Sequence, residues 1–330
     1  MKSLGLKVLA SDAQIVLKEI AREDALNKNM RSYSDGTYVY FPLVKDINIG
    51  RGLKDEFDFQ LRDTGGIRQI LENTMGERGK KIGWQRIGDA LIFSQDAKVP
   101  EQACIRINNE LGITQIYEIQ GPVLGDSRRP EIRILYGEPH DTKYRENNVT
   151  FVLNPEKIML SKGNIVERGI PYSRLIRPGK VLDMFSGIGY FSLPLARRFP
   201  VNSMTCVDIN PIALEYLKKS YKESGFKFPL KLENSDCRNI TTDEKFDTII
   251  MGNFKSVNYL PHALRHGEDQ FNLIVHHIES SDTIYQSDYE IMKKCSNLGY
   301  LPSVMDTHIV KSYAPHMWHI STLISLRRKF

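Results

Sequence analysis

Asp183, Gly187, Gly189, Asp208 and Asp236 are the residues whose types and spacing could hold a charged, nucleotide-like ligand. They begin in Val181-Leu-Asp-Met-Phe-Ser-Gly-Ile-Gly-Tyr-Phe-Ser192, which reads as a buried strand, a glycine turn and the opening of a helix. Glycines at 187 and 189 let backbone approach a ligand closely, and the free N–H groups of the following helix face it. A dinucleotide site needs a third glycine three residues after the second, and Ser192 stands there instead. Asp183 would repel a pyrophosphate but could accept a hydrogen bond from an ammonium group. S-adenosylmethionine carries such an ammonium. Asp208 ends the next apolar strand, Met204–Val207, where it could take both ribose hydroxyls.

These residues need strands to deliver them to one edge and helices to cover the faces. From residue 180 onward the pattern alternates as in a doubly wound α/β sheet. Strands are expected at Lys180–Met184, Ser203–Val207, Leu230–Glu233, Phe246–Met251, Leu273–Glu279, Ser303–Ser312 and His319–Leu326. Pro211–Glu223 is expected as a helix, with Pro211 in its first turn. No helix separates the last two strands, so the sheet should end in an antiparallel hairpin. Ahead of it stand two small α+β units. The expected layout is a module over 1–46, a charged, glycine-rich linker with one short helix over 47–82, a middle domain over 83–165 and a cofactor-binding domain over 166–330.

Composition narrows the class. The chain has 330 residues, 41% of them apolar and 26% charged, and no apolar run of membrane-spanning length. The N-terminus lacks the apolar core of a secretory signal. Cys104, Cys206, Cys237 and Cys295 share no metal-ligand spacing and suit a reducing cytoplasm. Among the eight histidines no Cys-x-x-Cys or His-x-x-x-His pair completes a site, His262 and His266 having that spacing without further ligands in it, and His276 and His277 should point to opposite faces of one strand, so no metal site is expected. The net charge is +5, and residues 151–200 alone carry a surplus of five positive charges. A basic surplus beside the glycine turn suits a polyanionic substrate.

Longer motifs then carry a family resemblance: Leu160-Ser-Lys-Gly-Asn-Ile-Val-Glu-Arg168, Val207-Asp-Ile-Asn-Pro211, Ser235-Asp-Cys-Arg238 and Lys311-Ser-Tyr-Ala-Pro315. With the glycine turn, they resemble class I S-adenosylmethionine-dependent transferases with a Rossmann-like sheet. In particular they resemble two related families acting at position 37 of tRNA: the guanine-37 N1-methyltransferases and the wybutosine-pathway 4-demethylwyosine aminocarboxypropyltransferases. Methyltransferases carry Asn-Leu-Pro or Asn-Pro-Pro after the fourth strand. This chain reads Met251-Gly-Asn-Phe-Lys-Ser256, with Gly252 in the asparagine position, as in the aminocarboxypropyltransferases. The N-terminal module instead resembles the methyltransferases' first domain, which recognises the tRNA elbow.

The resemblance implies the roles. Cofactor contacts fall on Ser161, Arg168, Asp183, Phe185, Gly187, Gly189, Tyr190, Asp208, Ile209, Asn210, Asp236, Cys237 and Gly252, with Asp236 on the adenine amino group. Contacts to tRNA, expected to be tRNA(Phe), fall on Lys162, Asn253, Lys255, Lys311 and Tyr313. Glu167 is the candidate acid-base group for a ring proton, and an apolar setting would give it the raised pKa this needs. An ion pair with Arg168 is the alternative. Arg133 matches an arginine that contacts the target base, against a plain strand-surface salt bridge. A sulfonium has three electrophilic carbons, so the geometry of the site selects the group transferred. Gly252 is expected to open room for the cofactor to present its aminocarboxypropyl arm. Aminocarboxypropyl transfer, methyl transfer and a non-catalytic tRNA-binding role all stay open, for a monomeric cytoplasmic protein.

Overall fold

Strands buried on both faces carry apolar side chains without alternation, and the consecutive Ile249-Ile-Met251 closing the strand Phe246–Met251 is such a run. The computed structural model describes residues 2–27, 30–59, 64–122, 125, 128, 130–159, 165–169, 179–283 and 286–329. These divide into two compact units: Met1–Asn147 with Leu153–Met159, and Asn148–Val152 with Leu160–Phe330.

The first unit holds two small sheets. In one, β1 (Lys2–Leu9), β2 (Tyr33–Ser34), β3 (Tyr38–Pro42) and β4 (Leu53–Asp58) lie in the order β2-β3-β1-β4. Helix α1 (Ala13–Arg22) buries Ala13, Val16 and Ile20 among Leu6, Val8 and Phe41. Residues 47–82, expected as a linker, contain β4 and a twelve-residue helix, α2 (Thr64–Met75). Strand β4 pairs with β1 from Lys2 opposite Asp58 to Lys7 opposite Leu53. It escaped the sequence pattern because Leu53-Lys-Asp-Glu-Phe-Asp58 is an edge strand. Its side chains are nearly all exposed, so it carries no alternating apolar signal. The other sheet, β5 (Trp84–Ile87), β6 (Ala90–Phe93), β7 (Gln115–Ile119) and β8 (Ile132–Tyr136), is ordered β5-β6-β7-β8. Its core joins Ile67, Ile70 and Leu71 of α2 to Ala103, Cys104 and Ile107 of α3 (Glu101–Leu111). Strand β9 (Thr142–Glu146) ends this unit's continuous stretch.

The second unit takes up β10 (Val149–Leu153) and α4 (Ile165–Gly169) ahead of the large sheet. Its elements continue as β11 (Gly179–Asp183), α5 (Ser192–Arg198), β12 (Val201–Asp208), α6 (Pro211–Glu223), β13 (Leu230–Asn234) and β14 (Phe246–Met251). They close with α7 (Leu260–Arg265), β15 (Gly267–Ser280), α8 (Gln286–Asn297), β16 (Tyr300–Ala314) and β17 (Met317–Arg328). The seven-stranded sheet runs β13-β12-β11-β14-β15-β17-β16. The first five are parallel neighbours, and β17 runs antiparallel to β15 and β16, which is the expected terminal hairpin. Leu182, Ile249, Met251 and Leu273 face α7 and α8, while Val181, Ile250, Ile274 and Leu323 face α5 and α6. Strand β10 is held by α6 itself: Val152 N–H donates to Ser220 Oγ at 3.0 Å and Thr150 N–H to Ser224 Oγ at 2.9 Å. Because β11 lies between β12 and β14, strand order reverses there, and a crevice opens at the carboxyl ends of these strands.

Candidate functional site

At that crevice, β11 ends in Asp183, which is fully buried. Its Oδ1 accepts the Phe185 N–H at 3.2 Å, while Oδ2 meets no hydrogen-bond donor among the described residues. Burial, reinforced by the nearby Asp208 carboxylate and only partly offset by the Ser192 hydroxyl and the Phe185 N–H, pushes Asp183 up to about 7. An orphaned buried carboxylate oxygen at a strand end calls for a cationic donor, and an ammonium group fits it.

The glycine turn follows. Gly187 and Gly189 have φ of +53° and +89°, and a Cβ on Gly189 would stand 2.6 Å from Leu193 Cγ. Around Gly187 a Cβ would meet only the Tyr190 ring, at 3.6 Å, which leaves the turn open for close approach. Asp208, at the end of β12, fixes that turn. Its Oδ2 accepts the Gly187 N–H at 2.6 Å and its Oδ1 the Asn210 N–H at 2.9 Å. Each oxygen keeps a lone pair for a ribose hydroxyl. Asn210 caps α6 by accepting the Ile212 N–H at 3.0 Å. Ile209 between them is 51% exposed, an apolar surface beside the polar grip. Phe185 packs against Tyr259 with ring centroids 5.4 Å apart, and Cys237 is buried with its thiol pushed up to about 12. Tyr190 lies under the Arg168 guanidinium, 4.4 Å from its ring centre, with Phe151 beside it.

Several expected roles look different once built. Asp236 is held by Arg238, whose Nη2 and Nε donate to its two oxygens at 2.7 and 2.8 Å, and this pairing keeps its carboxyl well below the usual range. An adenine amino group would share Asp236 with that guanidinium. The room expected beside Gly252 is filled: a Cβ there would stand 3.0 Å from both Cδ2 and Cε2 of Phe191. The Phe191 ring stacks on His276 at 4.5 Å. Gly252 therefore makes space for an aromatic wall and not for a void. Asn253 gives its side-chain oxygen to the Lys255 N–H at 2.8 Å, within its own loop. That loop is bridged to β15 between Lys255 and His277, and it meets the terminal hairpin through Phe254, whose ring packs on Tyr313 and His319. Tyr313 is exposed and Lys311 half-buried. Ser161 and Lys162 lie outside the described residues. Arg133 belongs to the first unit, where it donates to Glu118 at 3.0 Å.

Glu167 is buried, and its Oε2 lies 2.6 Å from His308 Nε2. Burial alone would raise its carboxyl, but the hydrogen bond and charge of His308, with His276 and Ser321 behind it, bring it down to about 2. The expected raised pKa is thus corrected: Glu167 is ionised at neutral pH. His308 rises to about 10 against its own desolvation, through Asp306 and Glu167. His276 Nδ1 and His319 Nε2 share a hydrogen bond at 3.0 Å, and burial drives both rings down, to about 4 and about 3. His277 turns to the other face, onto Thr322. The sequence gives no sign that His276, His308 and His319 act together, because no local ligand spacing joins these three. The signal that finds them is strand register, since His276 and His308 both stand opposite Ser321.

The strand order, the antiparallel seventh strand and the acids closing β11 and β12 define a class I S-adenosylmethionine-dependent transferase. Residues 142–300 match the TRM5/TYW2 methyltransferase domain, and residues 5–49 match the tRNA methyltransferase 5 N-terminal domain. Over these two stretches the chain is similar to the TRM5/TYW2 tRNA-modifying transferases. A tRNA(Phe) (4-demethylwyosine(37)-C(7)) aminocarboxypropyltransferase of Methanocaldococcus jannaschii is 29% identical over 241 residues, 72% of this chain and 96% of that protein. The tRNA (guanine(37)-N(1))-methyltransferase Trm5b of the same organism is 24% identical over 99% of both chains. Among solved structures, M. jannaschii TYW2 in complex with AdoMet superposes with a TM-score of 0.60 at 25% identity, covering 74% of this chain and all of that one.

Proposed function

We propose that this protein transfers the 3-amino-3-carboxypropyl group of S-adenosylmethionine to 4-demethylwyosine at position 37 of tRNA(Phe), releasing methylthioadenosine. When bound, the cofactor supplies a sulfonium whose carbons are open to a nucleophilic base. The chain's own residues do the rest. Asp183 pairs with the ammonium, Asp208 accepts from the ribose, and Ile209 covers the flat ring. Glu167, ionised, takes the ring proton that the modified base gives up. Lys255, Lys311 and Tyr313 meet the tRNA around it.

The end of β14 carries this reading. The position where methyltransferases place a base-positioning amide is Gly252, walled by Phe191, and the Asn253 side chain next to it is engaged on its own loop. No amide there holds a guanine N1 in line with a methyl group. Methyl transfer is the second reading, favoured by the N-terminal domain over residues 5–49 and by the full-length match to Trm5b. The protein is expected to act as a cytoplasmic monomer, and no described helix is long and apolar enough to cross a membrane. The test is incubation with tRNA(Phe) bearing 4-demethylwyosine and cofactor labelled separately in the methyl and carboxypropyl groups. Carboxypropyl label in the tRNA supports the proposal, and methyl label alone overturns it.

A further inference from the structure

Three neighbouring strands of the hairpin region set a straight row of polar side chains on one face of the sheet. His276 of β15 and His308 of β16 both pair in register with Ser321 of β17, and Glu167 of α4 sits over that row. His308 is the hinge of the arrangement. Its Nε2 lies 2.6 Å from Glu167 Oε2, and its Nδ1 lies 3.2 Å from Asp306 Oδ2. Asp306 and His308 are two residues apart on β16 and so share a face. The carboxylates differ in environment: the Glu167 side chain is 1% exposed and that of Asp306 39%. The imidazole therefore links a buried carboxylate to one at the solvent edge.

We propose that His308, clamped between Glu167 and Asp306, is the positioning residue that holds the Glu167 carboxylate ionised and in one orientation for taking the substrate's ring proton. This rests on the assignment of Glu167 as the base. A carboxylate buried this deeply stays an anion where hydrogen bonds and a cation hold it; Ser321 hydrogen-bonds it, His308 lies in hydrogen-bond contact with it, and burial drives His276 and His319, the latter with Lys311 nearby, toward the neutral form. His276 Nε2 is also 4.0 Å from Glu167 Oε1, too far for a hydrogen bond. Asp306 lets His308 carry the second proton by accepting from its other nitrogen.

The test is the pH profile of single-turnover transfer for wild type, His308→Gln and Asp306→Asn, with the cofactor dissociation constant measured alongside. Glutamine keeps a donor but loses the charge. The expected result is a drop in rate for His308→Gln with cofactor affinity unchanged, and an acid limb displaced upward by about one to three pH units. Asp306→Asn, an exposed change that spares the core, should shift the limb in the same direction by less. An acid limb that stays at the wild-type pH in both variants overturns the proposal, including when His308→Gln only lowers thermal stability. If His308→Gln does not fold, the Asp306→Asn profile decides. A wild-type chain that transfers methyl overturns the proposed function instead, and the same pH comparison is then read on methyl transfer.

Discussion

Gly252→Ala is the perturbation whose outcome the structure specifies most closely. The added methyl would lie 3.0 Å from two carbons of the Phe191 ring, where carbon pairs settle at about 3.5–4.0 Å. Gly252 has no left-handed φ, so the substitution brings crowding without backbone strain. The ring has little freedom to retreat, because it stacks on His276 at 4.5 Å and His276 is hydrogen-bonded to His319. Overpacking of this kind is worth about 1–3 kcal/mol of destabilisation. Phe191→Leu should relieve it, so the double variant should be more stable than the sum of the single changes by at least about 0.5 kcal/mol. Urea unfolding of the four proteins measures the coupling. Transfer to tRNA should fall in Gly252→Ala and recover in part in the double variant. Additive stabilities, or an alanine variant as stable as wild type, would refute the wall that Phe191 is argued to form.

Three further outcomes follow from the same geometry. Asp183→Asn should raise the melting temperature of the cofactor-free protein at pH 8, because it removes an anion whose folded pKa burial has lifted to about 7. It should also weaken S-adenosylmethionine binding by about ten- to a hundredfold in calorimetry, the worth of a hydrogen bond to a charged group. In wild type the same affinity should decline as pH falls below 7, where Asp183 takes up a proton. The stabilisation that Glu167 draws from its depressed carboxyl is present above about pH 4.3 and is lost as pH falls toward about 2. The contribution of His308 is complete below about pH 6.5 and is lost as pH rises through about 10. His308→Gln should therefore separate from wild type most near pH 5–6 in urea unfolding, and the gap should narrow by pH 10. Ser220→Ala removes the hydroxyl that receives the buried Val152 N–H, and should lower unfolding free energy by about 1–3 kcal/mol.

The cofactor half was legible because its signals are local. A strand buried on both faces announces itself through runs such as Ile249-Ile-Met251, and the acids expected to face the cofactor, Asp183 and Asp208, stand at strand ends. Asn210-Pro211 likewise marks the start of α6 within two residues. What stayed hidden depends on distant partners or on backbone alone. Strand β4 is held by an edge pairing with β1 and shows solvent-facing charges. The charge state of Glu167 is decided by His308, 141 positions away. The space at Gly252 is decided by a phenylalanine on the preceding glycine loop, and the occupancy of Asp236 by the rotamer of Arg238. Sequence names the residue in each case, but only the packed sheet says what stands against it.

Under the proposed function this site gives away the aminocarboxypropyl arm of the cofactor. The direct measurement is the identity of the nucleoside thioether released per tRNA modified, resolved chromatographically after a single turnover on tRNA(Phe) carrying 4-demethylwyosine. Methylthioadenosine in one-to-one proportion with modified tRNA is the result expected. S-adenosylhomocysteine in that proportion would contradict it.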